Sequence, residues 1–367
     1  MNAAARDARH MARAIRLAAR GLNTTDPNPR VGCVIASGDE VLGEGYHQRA
    51  GGPHAEVFAL AAAGERARGA TAYVTLEPCS HHGRTPPCVD ALLAAGIARV
   101  VYATGDPNPR INGNGVARLR EAGVEVTGGV LEASARALNP GFLSRMERGR
   151  PWVRVKLAAS LDGRTALAGG ESRWITGDAA RADVQRLRAR ASALMTGVGT
   201  VLQDDPRLNV RLPGATRQPL RVVLDPGLET SPEARILAPP GEALVMTASE
   251  DAVRAGRLAA AGARVENVVP GEGGLDLAAV LARLAELEVN ELHVECGATL
   301  AGALLRQGLV DEIVVYMAPT LLGEGARPLL GLGPLASMDE RPRLELLSVR
   351  RVGADLRLVL RPAADRS

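Results

Sequence analysis

Aromatic side chains are scarce in this chain: 2 Trp, 4 Tyr and 2 Phe in 367 residues. So small a set gives no base-stacking platform. The 44 basic and 41 acidic residues leave a formal charge of only +3, with no basic block to follow a phosphate backbone, so nucleic acid is not expected as a partner. No run approaches the ~18 consecutive apolar residues of a membrane span, and none is expected. Cysteine is equally sparse. Four in the whole chain make no disulfide framework, and a reducing cytoplasm is the expected compartment. Lysine is all but missing: of the 44 basic residues only Lys156 is one. An Arg-biased composition explains that blandly; a need for a compact, titratable amine explains it sharply.

What remains is ordinary for a globular protein, with 46% hydrophobic and 23% charged residues. The length suggests two domains. The Arg- and Ala-rich start, Met1 to Leu22, could pass for a transit peptide, but it lacks an apolar core. Met11, Ile15, Leu17 and Ala18 follow a helical period, so it reads as the first helix of the fold, near 8–20. Strands 31–36, 41–46, 71–76, 98–103 and 124–127 then alternate with helices 54–63, 87–95, 113–122 and 131–138. That alternation predicts a sheet with helices on both faces over residues 1–147. The pattern breaks at 148–151, Arg-Gly-Arg-Pro, which reads as a linker. A second α/β domain is expected over 152–367, with strands near 152–159, 193–196, 220–224, 243–247, 263–268, 291–295 and 311–317. Its helices fall near 178–190, 251–261, 275–287 and 298–307, and 343–349 with 355–360 suggest a closing hairpin.

Five of the six histidines fall in the first 82 residues, and one of them opens a metal-binding pattern. His54-Ala55-Glu56 is followed by Pro78-Cys79 and by Cys88. One imidazole and two thiolates are the three protein ligands a catalytic zinc takes, the fourth position being left for water. Such a water falls to a pKa of ~7 and acts as hydroxide. Glu56, two residues past the His at the start of a predicted helix, places an unliganded carboxylate beside it as a proton shuttle. A structural zinc closed by His81 or His82 is the alternative.

This segment resembles the cytidine-deaminase superfamily, with eight residues between its two cysteines in place of the usual two. The intervening Ser80-His81-His82-Gly83-Arg84-Thr85-Pro86-Pro87 is similar to the riboflavin-biosynthesis deaminases. So are Asp26-Pro27-Asn28-Pro29-Arg30-Val31-Gly32 and Gly43-Glu44-Gly45-Tyr46-His47. The resemblance implies a diaminopyrimidinone ribosylamine 5-phosphate as substrate, hydroxide attack at the carbon bearing the amine, and proton delivery by Glu56. Arg84, His81 and His82 offer charge and donors for the ribosyl phosphate; Asn28, His47, Asp106 and Asn108 are further candidates for base and sugar.

In the second half, Gly197-Val198-Gly199-Thr200 lacks the third glycine of a dinucleotide fingerprint. Glu295-Cys296-Gly297 is better placed, ending a strand before a helix expected near Leu300, where a phosphate could approach. Lys156 to Thr165, Ser172 to Thr176, Gly199 to Pro206 and Glu295 to Gly302 resemble the reductase half of the same bifunctional family. That half is dihydrofolate-reductase-like and uses NADPH. The resemblance implies cofactor contacts at Ala158, Ser172, Trp174, Thr200, Asp204 and the turn Gly297, Ala298, Thr299, Leu300, Ala301, Gly302 and Ala303. It implies substrate contacts at Arg188, Leu208, Arg211 and Glu295, with the arginine forks suited to the phosphate. Lys156 is placed as a proton donor or charge beside the carbon taking hydride. Pro226 departs from the family's usual Ser and removes one hydrogen bond to NADPH.

The expected fold is a cytidine-deaminase-like α/β/α domain followed by a dihydrofolate-reductase-like α/β domain. The expected protein is a cytoplasmic homo-oligomer, a dimer or larger, acting on small pyrimidine ribosyl phosphates with Zn2+ and NADPH. A tRNA-editing deaminase, or a zinc-stabilised nucleotide sensor without turnover, are the rival readings.

Overall fold

A computed structural model describes residues 2–80, 87–108 and 113–363. The chain divides into two compact units, Met1–Gly149 and Arg150–Ser367.

In the first unit, α1 (Ala3–Ala18) starts at Asn2, whose Oδ1 accepts from Ala5 N at 2.9 Å. There follow β1 (Gly32–Ser37), β2 (Glu40–Tyr46), α2 (Ala55–Ala63), β3 (Thr71–Leu76), α3 (Cys88–Ala94), β4 (Arg99–Thr104), α4 (Asn114–Glu121), β5 (Glu125–Thr127), α5 (Glu132–Leu138) and α6 (Pro140–Arg148). The strands form one sheet in the order β2-β1-β3-β4-β5. β1 runs antiparallel to both neighbours, while β3, β4 and β5 are parallel. Ala55, Ala59, Val89, Leu92 and Leu119 bring α2, α3 and α4 onto one face. Met11, Ala14 and Ala135 bring α1 and α5 onto the other, which makes the α/β/α sandwich expected. Two glycines set how closely α2 approaches: a Cβ at Gly43 or Gly45 would lie 2.2 Å from Ala59 O or 2.3 Å from Ala55 O. α6 lies outside the elements that periodicity predicts. Pro140 opens it, and Gly149, at φ 65°, ends it beyond Arg148, which is helical rather than linker.

The second unit opens with β6 (Trp152–Ser160), β7 (Arg164–Ala166), α7 (Asp178–Arg190), β8 (Ala193–Gly197), α8 (Val198–Asp204), β9 (Leu220–Leu224), β10 (Ala243–Thr247), α9 (Ala252–Ala260) and β11 (Ala263–Asn267). It continues with β12 (Pro270–Gly271), β13 (Gly274–Leu275), α10 (Leu277–Glu286), β14 (Glu291–Glu295), α11 (Ala298–Arg306), β15 (Glu312–Ala318), β16 (Arg327–Pro328), β17 (Leu344–Val352) and β18 (Asp355–Pro362). Nine strands form one sheet in the order β11-β10-β9-β8-β14-β6-β15-β18-β17. It is parallel from β11 to β15, and the closing hairpin of β17 and β18 adds antiparallel strands at one edge. α10 and α11 cover one face through Val280, Leu284 and Leu304. α8 and α9 cover the other through Val201 and Leu258, as α7 does through Val184 and Leu187. The chain steps from β6 past β14 to β8 and later returns to fill the gap, so the C-terminal ends of β6, β14 and β8 frame a switch point, where open α/β sheets bind ligands.

Candidate active sites

The first site is built where β2, β3 and α3 hand over to their connections. His54 is the N-cap residue of α2, yet its ring makes no capping hydrogen bond. Cys79 lies three residues past β3, and Cys88 is the first residue of α3. His54 Nδ1 stands 3.0 Å from Cys88 Sγ and 3.6 Å from Cys79 Sγ, and the three donor atoms all lie within 4.8 Å of one another. A tetrahedral zinc with ordinary bond lengths separates its N and S ligands by about 3.5 Å, so the donor set fits. Cys79 Sγ also accepts the backbone N–H of Cys88 at 3.3 Å, at the positive end of α3. Contact with Cys88 pulls the Cys79 thiol down, helped by His54 and opposed by burial; the same contact and burial push Cys88 up. His54 is raised, first by its bond to Cys79. The pair of thiols thus holds a proton that a dication would displace.

Glu56 sits in the first turn of α2, only 3% exposed, and burial raises its carboxyl above the usual range. His47 stacks edge-on to His54, ring centroids 5.6 Å apart. Its Nδ1 is 3.0 Å from Pro53 O, which can only accept, so the proton is on Nδ1 and Nε2 accepts from Asn28 Nδ2 at 3.1 Å. Burial lowers the His47 pKa and keeps this neutral tautomer. Asp106 is buried, and its Oδ1 accepts from Asn108 N at 2.9 Å.

The second site lies at the switch point. Lys156 on β6 and Glu295 on β14 are register partners, with Nζ 4.0 Å from Oε2. Burial lowers the Lys156 pKa against the pull of Glu295. Arg188, on α7, grips Glu295 with both arms of its fork: Nε to Oε1 at 2.5 Å and Nη2 to Oε2 at 3.0 Å. Its Nη1 donates to Asn209 O at 3.2 Å. Arg211 is exposed, bound through Nη1 to Asn209 Oδ1 at 3.0 Å. Partial loss of water around the guanidinium and the cations of Arg188, Arg207 and Arg235 depress its pKa against the pull of Glu295, an arrangement that an anion would relieve.

Family models match both halves: the cytidine and deoxycytidylate deaminase zinc-binding region over residues 4–104, and the RibD C-terminal domain over 151–358. The riboflavin biosynthesis protein RibD of Escherichia coli is 51% identical over 366 residues, spanning 96% of this chain and 99% of its own. The chain belongs to the RibD family. The Acinetobacter baumannii RibD structure superposes with a TM-score of 0.92 at 46% identity, covering 98% of this chain and all of that one. A Thermotoga maritima diaminohydroxyphosphoribosylaminopyrimidine deaminase/5-amino-6-(5-phosphoribosylamino)uracil reductase gives 0.87 at 35% identity, covering 99% of this chain and 100% of that chain. The fold is therefore the deaminase-plus-RibD-reductase pair expected, and both halves are enzymatic domains.

Within that RibD frame the other expected residues fall as follows. His82 and Arg84 lie outside the described residues. Leu208 has its side chain in the core, 3% exposed, at φ 42°. Trp174 is 70% exposed, with the Arg181 guanidinium 4.4 Å over its ring. Ala158 and Ser172 are half-buried, Thr200 and Asp204 sit on α8, and the Asp204 carbonyl accepts from Arg173 Nη2 at 2.6 Å. The helix after β14 starts at Ala298, as the expected span 298–307 has it, with Gly297 as an N-cap offering no side chain. Open space faces Gly297; Thr299 is exposed, and Ala298, Leu300 and Ala303 are half-buried. Ala301 is in the core, and Gly302 packs against Gly331, whose O would be 2.2 Å from an added Cβ. Pro226 offers only its carbonyl, which accepts from Thr247 Oγ1 at 3.1 Å. Sequence reasoning passed over Glu77 and His293; the first had a visible signal, a carboxylate directly before Pro78-Cys79.

Proposed function

We propose that this chain performs two consecutive steps of riboflavin biosynthesis. The first unit hydrolytically deaminates 2,5-diamino-6-ribosylamino-4(3H)-pyrimidinone 5′-phosphate. The second reduces the ribosyl group of 5-amino-6-ribosylaminouracil 5′-phosphate to ribityl with NADPH. The observation that carries the reading is the three-donor set of His54, Cys79 and Cys88 with the buried Glu56 beside it, in a chain whose kinship with RibD proteins covers both halves.

His54, Cys79 and Cys88 would hold zinc, which when bound supplies an activated water and an electrophilic field. Glu56 Oε takes one proton from the attacking water and passes it to the pyrimidine ring nitrogen, then takes the proton of the added hydroxyl and passes it to the departing amine. Its raised pKa suits a group that is both acid and base near neutrality. Neutral His47 fixes Asn28, leaving Asn28 Oδ1 to accept from the base, while Asn108 serves the sugar. His82 and Arg84 are assigned to the phosphate.

NADPH supplies the hydride. The uncapped start of α11 behind the open space at Gly297 suits its phosphates, with Ala158, Ser172, Trp174, Thr200 and Asp204 completing the cofactor side. As C1′ takes the hydride, Lys156 Nζ delivers the balancing proton to the heteroatom bonded to that carbon, its lowered pKa making release easier. Arg188 holds Glu295 in place toward the substrate, and Arg211, within its cluster of cations, takes the 5′-phosphate. The proposal extends to a reducing cytoplasm and to a homo-oligomer. Edge strand β17 exposes Leu344, Leu346, Leu347 and Val349, surface that a lone chain gains by covering.

NADPH consumption on adding the diaminopyrimidinone substrate, before and after zinc is stripped, tests the reading. We expect consumption that stops without zinc and resumes when the deaminated uracil intermediate is supplied instead. No consumption by the zinc-loaded chain with either compound would refute it.

A further inference from the structure

Glu77 takes no part in the chemistry above, yet its carboxylate is buried, 4% exposed, two residues before Cys79. Four backbone N–H groups converge on it. Oε2 accepts from Asp106 N at 3.4 Å and Gly113 N at 3.1 Å; Oε1 accepts from Gly115 N at 3.2 Å and Val116 N at 3.3 Å. Gly113 is the N-cap residue of α4 and has no side chain with which to cap it. Glu77 therefore caps α4 from a different segment, with its carboxylate oxygens at the positive end of the helix. Its own N–H donates to Thr104 O at 2.9 Å, which locks the base of the side chain to the end of β4. The start of α4 also lies on the peptide leading into Cys79: a Cβ at Gly115 would be 2.0 Å from Pro78 O.

The same carboxylate thus joins two parts of the deaminase site. On one side is the Glu77-Pro78-Cys79 segment, which carries a metal ligand. On the other is Asp106, whose N–H is spent on Glu77 and whose Oδ1 in turn accepts from Asn108 N. We infer that Glu77 is a positioning residue of the deaminase: it fixes the Asp106–Asn108 segment, and so the bound sugar and base, relative to the metal-holding cysteine. This rests on the deaminase reading proposed above. Only a carboxylate fills the role, because it is an acceptor at every lone pair; the amide of glutamine would turn donors toward donors.

The test is Glu77→Gln and Glu77→Asp in the full chain, with three readouts: zinc content, deaminase kcat and KM, and reductase turnover on the deaminated intermediate. For Glu77→Gln we expect one zinc per chain, unchanged reductase turnover, and a deaminase KM raised about tenfold with a smaller change in kcat, as for loss of charge-assisted hydrogen bonds. Glu77→Asp, which keeps the charge at shorter reach, is expected to recover part of that loss. A KM within about twofold of the parent in both variants, with only a lowered melting temperature, would make Glu77 a plain helix cap and overturn the inference. Loss of zinc from Glu77→Gln would overturn it too, by placing the role at the metal. Should Glu77→Gln not fold, an unchanged KM in Glu77→Asp is sufficient to overturn it. A parent chain without deaminase turnover would instead sink the proposed function.

Discussion

His293 is wholly buried on β14, with Arg154 directly across on β6 and Glu295 two residues along on its own face. Nε2 stands 3.3 Å from Glu295 Oε1, but neither ring nitrogen makes a well-aligned hydrogen bond. Burial lowers its pKa; Arg154 and Arg188 push the same way, while Glu295 pulls against them. In the unfolded chain the ring titrates near 6.5, whereas in the folded chain it resists the proton to a lower pH. Between that lower pH and 6.5 unfolding takes up a proton, so stability is full above 6.5 and declines as the solution is acidified through that window. His293→Leu is expected to flatten the decline in melting temperature between about pH 7 and pH 5. An unaltered slope would show that other groups carry it.

At the scale of elements, β2 and α2 show what a motif can and cannot disclose. Gly43-Glu44-Gly45 is readable as a family signature, but its physical cause is the helix backbone lying against the strand. Gly45→Ala is expected to cost about 1–3 kcal/mol by overpacking, read as a lower melting temperature, and to reduce deamination by shifting the helix that carries Glu56. An unperturbed melting temperature would mean that α2 moves aside freely. Most strands and helices were legible because their apolar periods are local and strong. α8 was not: seven residues with Gly199, Thr200 and two valines among them carry little helical propensity, and packing of Val201 decides the matter. The donor set of the first site was legible because each ligand sits in a short motif. The grip of Arg188 on Glu295 was not, since it joins residues 107 apart in the chain. The cap that Glu77 places on α4 was hidden for the same reason, its partners being up to 39 residues away.

At the scale of the whole chain, each unit has its own core and its own proposed site. A chain with Glu56→Gln and one with Lys156→Arg are each expected to be silent in the coupled NADPH assay, one unable to make the intermediate and the other unable to reduce it. Mixed in equal amounts, they are expected to restore consumption, because the intermediate released by one serves the other. Continued silence would show that the two reactions must occur on one polypeptide.

Lys156 gives the molecule one more property. With no other lysine in the sequence, its Nζ is the single side-chain amine there, and it lies opposite Glu295 in the proposed reductase site. Lysine labelled with nitrogen-15 at Nζ would therefore give an NMR spectrum with one side-chain resonance, a built-in voltmeter for the field beside Glu295. An aldehyde or active ester that reaches Lys156 would meet no other lysine of the sequence to consume it first.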